Sequence, residues 1–380
     1  MLLSATIIAR DEAFHLPGCL ASISPVVDEV VVVDTGSADA TVELARAAGA
    51  TVALRPWDGS FAAARNAALD LARGEWILYI DADERLSDAG GLREALASCD
   101  AVAGLVRFCP GSTYTQYWEY RLFRNRPDIR FHGVIHETMV PDISRLVSEQ
   151  GASVVNVPGR IDHLGYEGDQ ADKHRRNLPL LLRQIEDAPE RLYLWFHLGS
   201  VHEGLADDGA AEAAWMQGLA VARRQVSPAP FAVLIYAKLA LLRLRRGRDA
   251  GDLARELAQR FPEDPLSTWV SAHQAMFGGR WADAVPLLES LAAVDAASLL
   301  HPVLAYDRRM FEELGAHCLG LCWFHLGDDA EAERYFAIAA EAAPEVEEYR
   351  RKRQLCAARA MRSATLASHP SRPPSSRSGA

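Results

Sequence analysis

Acidic residues recur in one kind of place along the first part of the chain, directly after a short apolar run. Residues 2–9 lead into Arg10-Asp11-Glu12, residues 29–33 into Asp34-Thr35-Gly36-Ser37, and residues 76–80 into Asp81-Ala82-Asp83-Glu84. In an open parallel sheet, ligands bind beyond the carboxyl ends of the strands. Carboxylates gathered along such an edge repel one another unless cations or hydrogen-bond donors lie between them, so a metal or a polyhydroxyl ligand is implied. Asp81 and Asp83 are two apart, a spacing that in extended backbone turns both carboxylates to one side and Ala82 to the other. They could then share one hard ion, Mg2+ or Mn2+, of the kind held by one or two carboxylates together with substrate phosphate oxygens. The plainer alternative is that Asp83 caps a following helix.

The elements that position these residues follow from periodicity. Strands are expected at 2–9, 29–33, 51–54 and 76–80, and helices at 16–23, at 38–48 behind a Ser37 cap, and at 61–72. Short apolar strands alternating with Ala-rich helical stretches give an α/β fold, a Rossmann-like, mostly parallel sheet with helices on both faces. Residues from about 100 to 165 are richer in aromatics, Gly and Pro, with strand-like runs at 104–108 and 153–157 that complete this domain. From residue 178 the chain turns helical, with turns marked by Gly199, Gly247, Gly279 and Gly327.

That half contains repeats. Leu319, Gly320, Trp323, Gly327, Ala332, Phe336, Ala339 and Pro344 fall at the spacing of a tetratricopeptide unit of about 34 residues. Trp195, Leu198, Gly199, His202, Ala211 and Trp215 take the same relative places, and 231–265 and 266–294 match more loosely. The expected organisation is therefore 1–175 for the α/β domain, 176–350 for an all-α tetratricopeptide-like domain, and a disordered tail at 362–380 rich in Ser, Pro and Arg.

The formal charge of −11 disfavours nucleic acid and anionic membranes as partners. The basic run Arg243 to Arg248 closes an apolar helix, where cations complement the dipole, and reads as a solvated helix end. The six cysteines form no dense framework, and Cys318 and Cys322, four apart, read as small core residues. The amino terminus lacks a basic leader and no run reaches membrane-spanning length, so a cytoplasmic location is expected.

In order and spacing, the segments IIARDE, VVVDTGSADAT, FAAARNAALDLARGEW and ILYIDADE resemble the GT-A glycosyltransferases of the family 2 type. With the repeats, most of residues 1–345 resembles the subgroup that includes the bacteriocin S-glycosyltransferases. The resemblance implies that Ala9, Arg10, Asp11, Glu12 and Asp34 line the base and ribose pocket of a nucleotide-sugar donor. It also implies that Arg65 contacts base or phosphate and that Asp81 and Asp83 flank the metal. Asp34 suits a ribose hydroxyl or a uracil imide, and Arg65 offers forked donors to phosphate; the alternative for Arg65 is a surface pair with Asp70 or Glu75. Asp11 departs from the Asn common in the family, which puts the contact from that position in question.

An inverting transfer needs a base near the acceptor nucleophile. Glu137, in the segment that the resemblance places beside the acceptor channel, is the first candidate, with Asp162 and Glu119 behind it. His163, or in competition His136, is a candidate further metal ligand, and Lys173 and Arg176 could close on the diphosphate as a lid. The expected activity is a metal-assisted glycosyl transfer from a UDP-type sugar to a peptide, protein or saccharide acceptor. The repeats would bind acceptor, protein partner or a second copy; the alternative is an inactive scaffold. A dehydrogenase or a sugar nucleotidyltransferase would need a glycine-rich loop after the first strand, and a processive synthase would need membrane helices and Gln-x-x-Arg-Trp; none of these is in the chain.

Overall fold

The computed structural model describes residues 1–164, 170–225 and 229–367. Its elements run β1 (Leu3–Ala9), α1 (Leu16–Ile23), β2 (Glu29–Asp34), α2 (Thr41–Ala47), β3 (Thr51–Leu54), α3 (Phe61–Leu71), β4 (Trp76–Tyr79), β5 (Glu84–Ser87) and α4 (Leu92–Ala97). There follow β6 (Ala103–Cys109), β7 (Gln116–Arg124), α5 (Val140–Gln150), β8 (Val154–His163), α6 (Ala171–Asp187), α7 (Leu192–Gly204), α8 (Asp208–Arg224) and α9 (Pro230–Arg245). The chain continues through α10 (Gly251–Arg260), α11 (Pro265–Phe277), α12 (Trp281–Ala292), β9 (Leu300–His301), α13 (Glu313–Leu326), α14 (Asp329–Ala342) and α15 (Glu347–Ala367). Two compact units result, residues 1–235 with 298–307, and residues 236–297 with the chain from Arg308 onward.

The first unit carries a sheet in the order β3-β2-β1-β4-β7-β6-β8-β5, with β9 added beside β7. β1 pairs in parallel with both β2 and β4, and β2 with β3, as the alternation of apolar runs and helices anticipates. The sheet then becomes mixed, since β4 and β7, β7 and β6, and β8 and β5 are antiparallel while β6 and β8 are parallel. Residues of β1 alternate between the two faces. Leu3, Ala5 and Ile7 pack with Leu16, Cys19 and Ile23 of α1 and with Leu92 and Leu96 of α4. On the other face Val31, Val33 and Ile77 pack with Ala62, Ala68 and Leu69 of α3 and Ile143 and Leu146 of α5. Each fully buried Leu, Ile or Val contributes about 1.5–3 kcal/mol, so these two layers fix the strand ends that carry the acidic residues.

Two local expectations change. The helix expected from residue 38 begins at Thr41, and its first amide is met by Asp39 Oδ1 (3.0 Å) rather than by Ser37. The hydroxyl of Ser37 is taken by Asp34, an interaction inside the loop after β2 that outcompetes capping. The sheet ends at His163 and helices begin at Ala171, close to the expected boundary at 175, yet compactness carries α6–α8 with the sheet. Ile135 of the α/β part buries itself with Leu181, Ile185, Leu194 and Leu198 of α6 and α7.

The repeat signature is explained by packing. A side chain at Gly199 would stand 2.1 Å from Nε1 of the buried Trp215, and one at Gly320 would stand 2.7 Å from the ring of Phe336. The same interlock thus recurs at identical spacing in α7–α8 and in α13–α14, and in both pairs an aspartate, Asp207 or Asp328, caps the second helix. Cys318 and Cys322 are buried, in keeping with a core role, and all six cysteines are free. The last helix runs to Ala367, and residues 368–380, the bulk of the expected tail, lie outside those described. Among the described residues no helix is long and apolar enough to cross a membrane.

Because Trp215 is fully buried and sits against the Cα of Gly199, Gly199→Ala forces an overpacked contact. Urea unfolding of the full chain followed by tryptophan fluorescence should show a loss of about 1–3 kcal/mol. A change below about 0.5 kcal/mol would mean that the interlock is looser than the packing implies.

Candidate active site

The loop after β1 is laced to the loop after β2. Asp34, at the end of β2, is buried, and its carboxylate accepts from the amides of Gly36 and Ser37 at 3.0 Å each and from the Ser37 hydroxyl. That hydroxyl accepts in turn from the Asp11 amide at 2.9 Å, while Asp11 Oδ1 accepts from the Ala38 amide at 2.7 Å. Asp11 has φ +57°, in the left-handed region that Asp and Asn tolerate better than most residues. Aspartate therefore serves the geometry of the family's Asn, and its Oδ1 accepts from Ala38 as an amide oxygen would. The Glu12 amide donates to Thr41 Oγ1 at 2.8 Å, Ala9 is buried beneath the loop, and Arg10 lies exposed beside Asp11.

Arg65 is the hub of the site. It lies on α3, whose start is capped by Ser60, and is only 7% exposed. Its Nε donates to Glu137 Oε1 at 2.5 Å and its Nη2 to Asp81 Oδ1 at 2.8 Å, so the surface pairing with Asp70 or Glu75 does not form. Asp70 pairs with Arg130, and Glu75 with Arg124. The guanidinium also lies 5.0 Å from the Tyr79 ring centre and 5.5 Å from that of Phe131, a desolvated cation–π arrangement. Burial pushes the Asp81 carboxyl up, but Arg65 and then Arg121 hold it below the usual carboxylate range.

A second buried arginine supports the first layer. Arg121 of β7 donates to both oxygens of Glu84, at 2.8 and 2.9 Å, and to Glu119 at 3.0 Å, with Tyr79 and Phe108 against its faces. Glu84, 1% exposed, also accepts from the Asp81 amide at 2.8 Å. This ion pair is a structural member of the acidic run and fixes the backbone of Asp81.

The backbone of Asp81-Ala82-Asp83 is a turn, closed by the Glu84 amide on the Asp81 carbonyl at 3.0 Å, and not the extended segment its spacing suggested. The chain must reverse here to leave β4 and enter β5, so the two carboxylates part. Asp81 faces Arg65, and Asp83 Oδ2 lies 3.2 Å from His163 Nε2. A strand, not a helix, follows Asp83, so it caps nothing. Both charges still act at one place. Burial, then Asp83, then Asp81 push the Glu12 carboxyl up to about 7, while Lys173 acts in the opposite sense. Lys173 thus stands near the edge; Arg176 lies further along α6 with Nε 3.4 Å from Asn177 Oδ1. Part of the turn after His163, residues 165–169, lies outside the described residues. Among the described residues no group of three or more His, Cys, Asp or Glu side chains is arranged to hold a metal ion by itself. Asp83 and His163, 3.2 Å apart, offer a carboxylate and an imidazole of the kinds that ligate divalent cations, while Asp81 turns to Arg65.

The acceptor-side candidates separate. Glu137 is 10% exposed with its carboxylate on Arg65, and Glu119, at 27%, is the more open of the two arginine-bound glutamates on this side. Asp162 precedes His163 on β8 and so faces the opposite side, where it binds Arg160 and Ser87. His136 lies against His197 of α7, with ring centres 4.1 Å apart and planes tilted by 31°. Arg121, Tyr79, Arg191 and His197 are site residues that the sequence did not single out. Each joins the site through a partner far along the chain, and only the arginine-rich run RLFRNR hinted at Arg121.

A family model for glycosyl transferase family 2 matches residues 4–150. A TPR repeat-containing protein of Synechococcus elongatus is 38% identical over 286 residues, covering 70% of this chain and 69% of that protein. The front domain of the chain belongs to glycosyl transferase family 2. The chain is a glycosyltransferase whose catalytic fold is followed by tetratricopeptide-like helices. The glycosyltransferase SunS of Bacillus subtilis is 29% identical over 211 residues, 51% of this chain, and the chain spans 47% of that relative's length. Among solved structures, S. aureus TarS 1–349 in complex with UDP-GlcNAc is similar with a TM-score of 0.36 and 17% identity, covering 69% of this chain and 92% of that one.

Removing Arg121 from this glycosyltransferase leaves Glu84 buried without its partner. Arg121→Met should cost about 3–5 kcal/mol in chemical denaturation. Adding Glu84→Gln, whose amide oxygen still accepts from Asp81, should recover at least about 1 kcal/mol of that loss. Equal stability of the single and double variants would show that the pair is not coupled.

Proposed function

We propose that this glycosyltransferase moves one or a few hexosyl units, with inversion, from a nucleoside-diphosphate sugar to a peptide or protein acceptor, or to a saccharide. A uridine diphosphate donor is favoured by the family resemblance. The observation that carries the reading is the buried Arg65, held by Asp81 and Glu137 at the carboxyl ends of β1 and β4, with Asp83 and His163 beside it. In this reading the laced loop at Ala9, Arg10, Asp11, Glu12 and Asp34 receives base and ribose. Arg65 addresses the diphosphate, with its two carboxylates fixing the fork rather than leaving it mobile. Asp81, Asp83 and His163 hold a divalent cation, Mg2+ or Mn2+, and when bound it supplies charge neutralisation for the leaving diphosphate.

For Glu137 the choice is between proton acceptor and support of Arg65. Both carboxylates are engaged by a guanidinium, so exposure decides: we assign support to Glu137, 10% exposed, and give the acceptor proton to Glu119, 27% exposed. The helical repeats, which present stacked helix pairs, suit a polypeptide as acceptor or partner.

Calorimetric titration with UDP and UDP-glucose, with and without Mn2+, tests the donor site. Wild type should bind in a metal-dependent manner, and Asp83→Ala should weaken binding at least about tenfold. Loss of all nucleotide binding in wild type across a panel of nucleotide sugars would sink the reading. Glutamine separates the two roles of the glutamates, because its amide oxygen accepts from an arginine but takes no proton. Glu137→Gln should keep kcat within about tenfold of wild type, whereas Glu119→Gln should lose a factor of about 100 or more with nucleotide affinity intact. The reverse pattern would make Glu137 the base.

A further inference from the structure

The segment that carries Glu137 is held from two sides. On one side α3 grips it, with the Asn66 side chain accepting from the Phe131 amide and donating to the Phe131 carbonyl, and the Phe61 amide donating to the Val134 carbonyl. On the other side stand the first helices of the helical half. Gln184 of α6 accepts from the Val134 amide at 2.6 Å, with its oxygen so close to Gly133 that a side chain there would meet it at 3.0 Å. Ile135 enters the apolar cluster of α6 and α7. Arg191, just ahead of α7, donates to the His136 carbonyl at 3.1 Å, and the His136 ring joins a cluster with His197 (4.1 Å) and Tyr193 (5.1 Å), which touch each other.

These contacts bear on a conformation that the residue itself disfavours. His136 has φ +51°, in the left-handed region, where a residue with a Cβ pays a steric penalty unless its surroundings overdetermine it. The turn made there sends the next side chain, Glu137, back to Arg65 Nε. Burial pushes His136 well below its ordinary range and His197 down to about 3, so the adjacent rings are both neutral and do not repel.

We infer that Arg191 and His197 are positioning residues of the donor site: they hold His136 in its left-handed turn so that Glu137 fixes Arg65, which makes α7 part of the catalytic apparatus rather than of a separate binding module. The inference rests on Arg65 serving the donor. It also accounts for the polar investment at this junction, since apolar packing alone would dock α7 without a half-buried arginine set on the His136 carbonyl and over the Tyr193 ring.

The test uses the full chain and titration with UDP in the presence of Mn2+, with thermal unfolding as the control for folding. Arg191→Ala should keep a cooperative unfolding transition and weaken UDP binding roughly tenfold, the factor that corresponds to relaxing one left-handed residue. Adding His136→Asn, a residue that adopts the left-handed region readily, should win back at least about threefold of that loss. A purely structural role for Arg191 would show no such rescue. If Arg191→Ala does not fold, His197→Ala with the same second-site rescue carries the expectation. Wild-type affinity in a folded Arg191→Ala, or a loss that His136→Asn does not touch, overturns the inference while leaving the donor reading intact. Absence of nucleotide binding in wild type overturns the donor reading and the inference with it.

Discussion

A guanidinium buried between two carboxylates is the constraint around which the first unit is arranged. Taking Arg65 out of water costs several kcal/mol, which is offset only if its partners are placed well. The partners come from different elements: Asp81 from the turn after β4, Glu137 from the segment before α5, and the aromatic faces from Tyr79 and Phe131. Each partner is itself held. The Asp81 amide is tied to Glu84, Glu84 is tied to Arg121, and the segment of Glu137 is gripped by α3, α6 and α7. The network repays its cost by giving Arg65 one orientation, which a mobile surface arginine would lack.

Much of the fold could be read along the chain because it is written in local periodicity. β1, β2, β3 and β4, and helices α1 and α3, fall within a residue or two of the expected positions, since buried parallel strands and amphipathic helices impose their spacing on the sequence. The repeats were legible for the same reason, Gly199 and Trp215 standing to each other as Gly320 stands to Phe336. What escaped was decided by distant partners. The mixed half of the sheet, with β6 lying between β7 and β8, depends on pairings that no local pattern encodes. The compact boundary after α8 depends on the burial of Ile135 against α6 and α7, whereas composition changes at the end of the sheet.

The site shows the same division. Acidic strand ends drew attention to one edge of the sheet, and the order of the segments pointed to a glycosyltransferase. The partition of the acidic run was not legible, because Asp81, Asp83 and Glu84 differ only in what reaches them. Asp81 meets Arg65, Asp83 meets His163, and Glu84 meets Arg121, three contacts from three different parts of the chain. The turn that separates the two aspartates is imposed by the reversal from β4 to β5. A spacing rule for extended backbone therefore misplaced the two carboxylates relative to each other.

The charges along this edge do not balance within the protein. Arg65 and Arg121 face the carboxylates of Asp81, Glu137, Glu84 and Glu119, and Asp83 and Glu12 lie beyond the reach of their hydrogen bonds. The rise of the Glu12 carboxyl to about 7 is the local expression of that excess, since the second and third contributions to it, after burial, are the charges of Asp83 and Asp81. Two remedies are open to such a site. Lys173, which opposes the rise, approaches from α6, while a divalent cation would enter on the Asp83 and His163 side. A diphosphate alone would deepen the imbalance, whereas a diphosphate arriving with a cation would relieve it, and this couples the two ligands thermodynamically. Under the proposed function, the acidic edge thus favours a donor arriving with a metal over a donor alone.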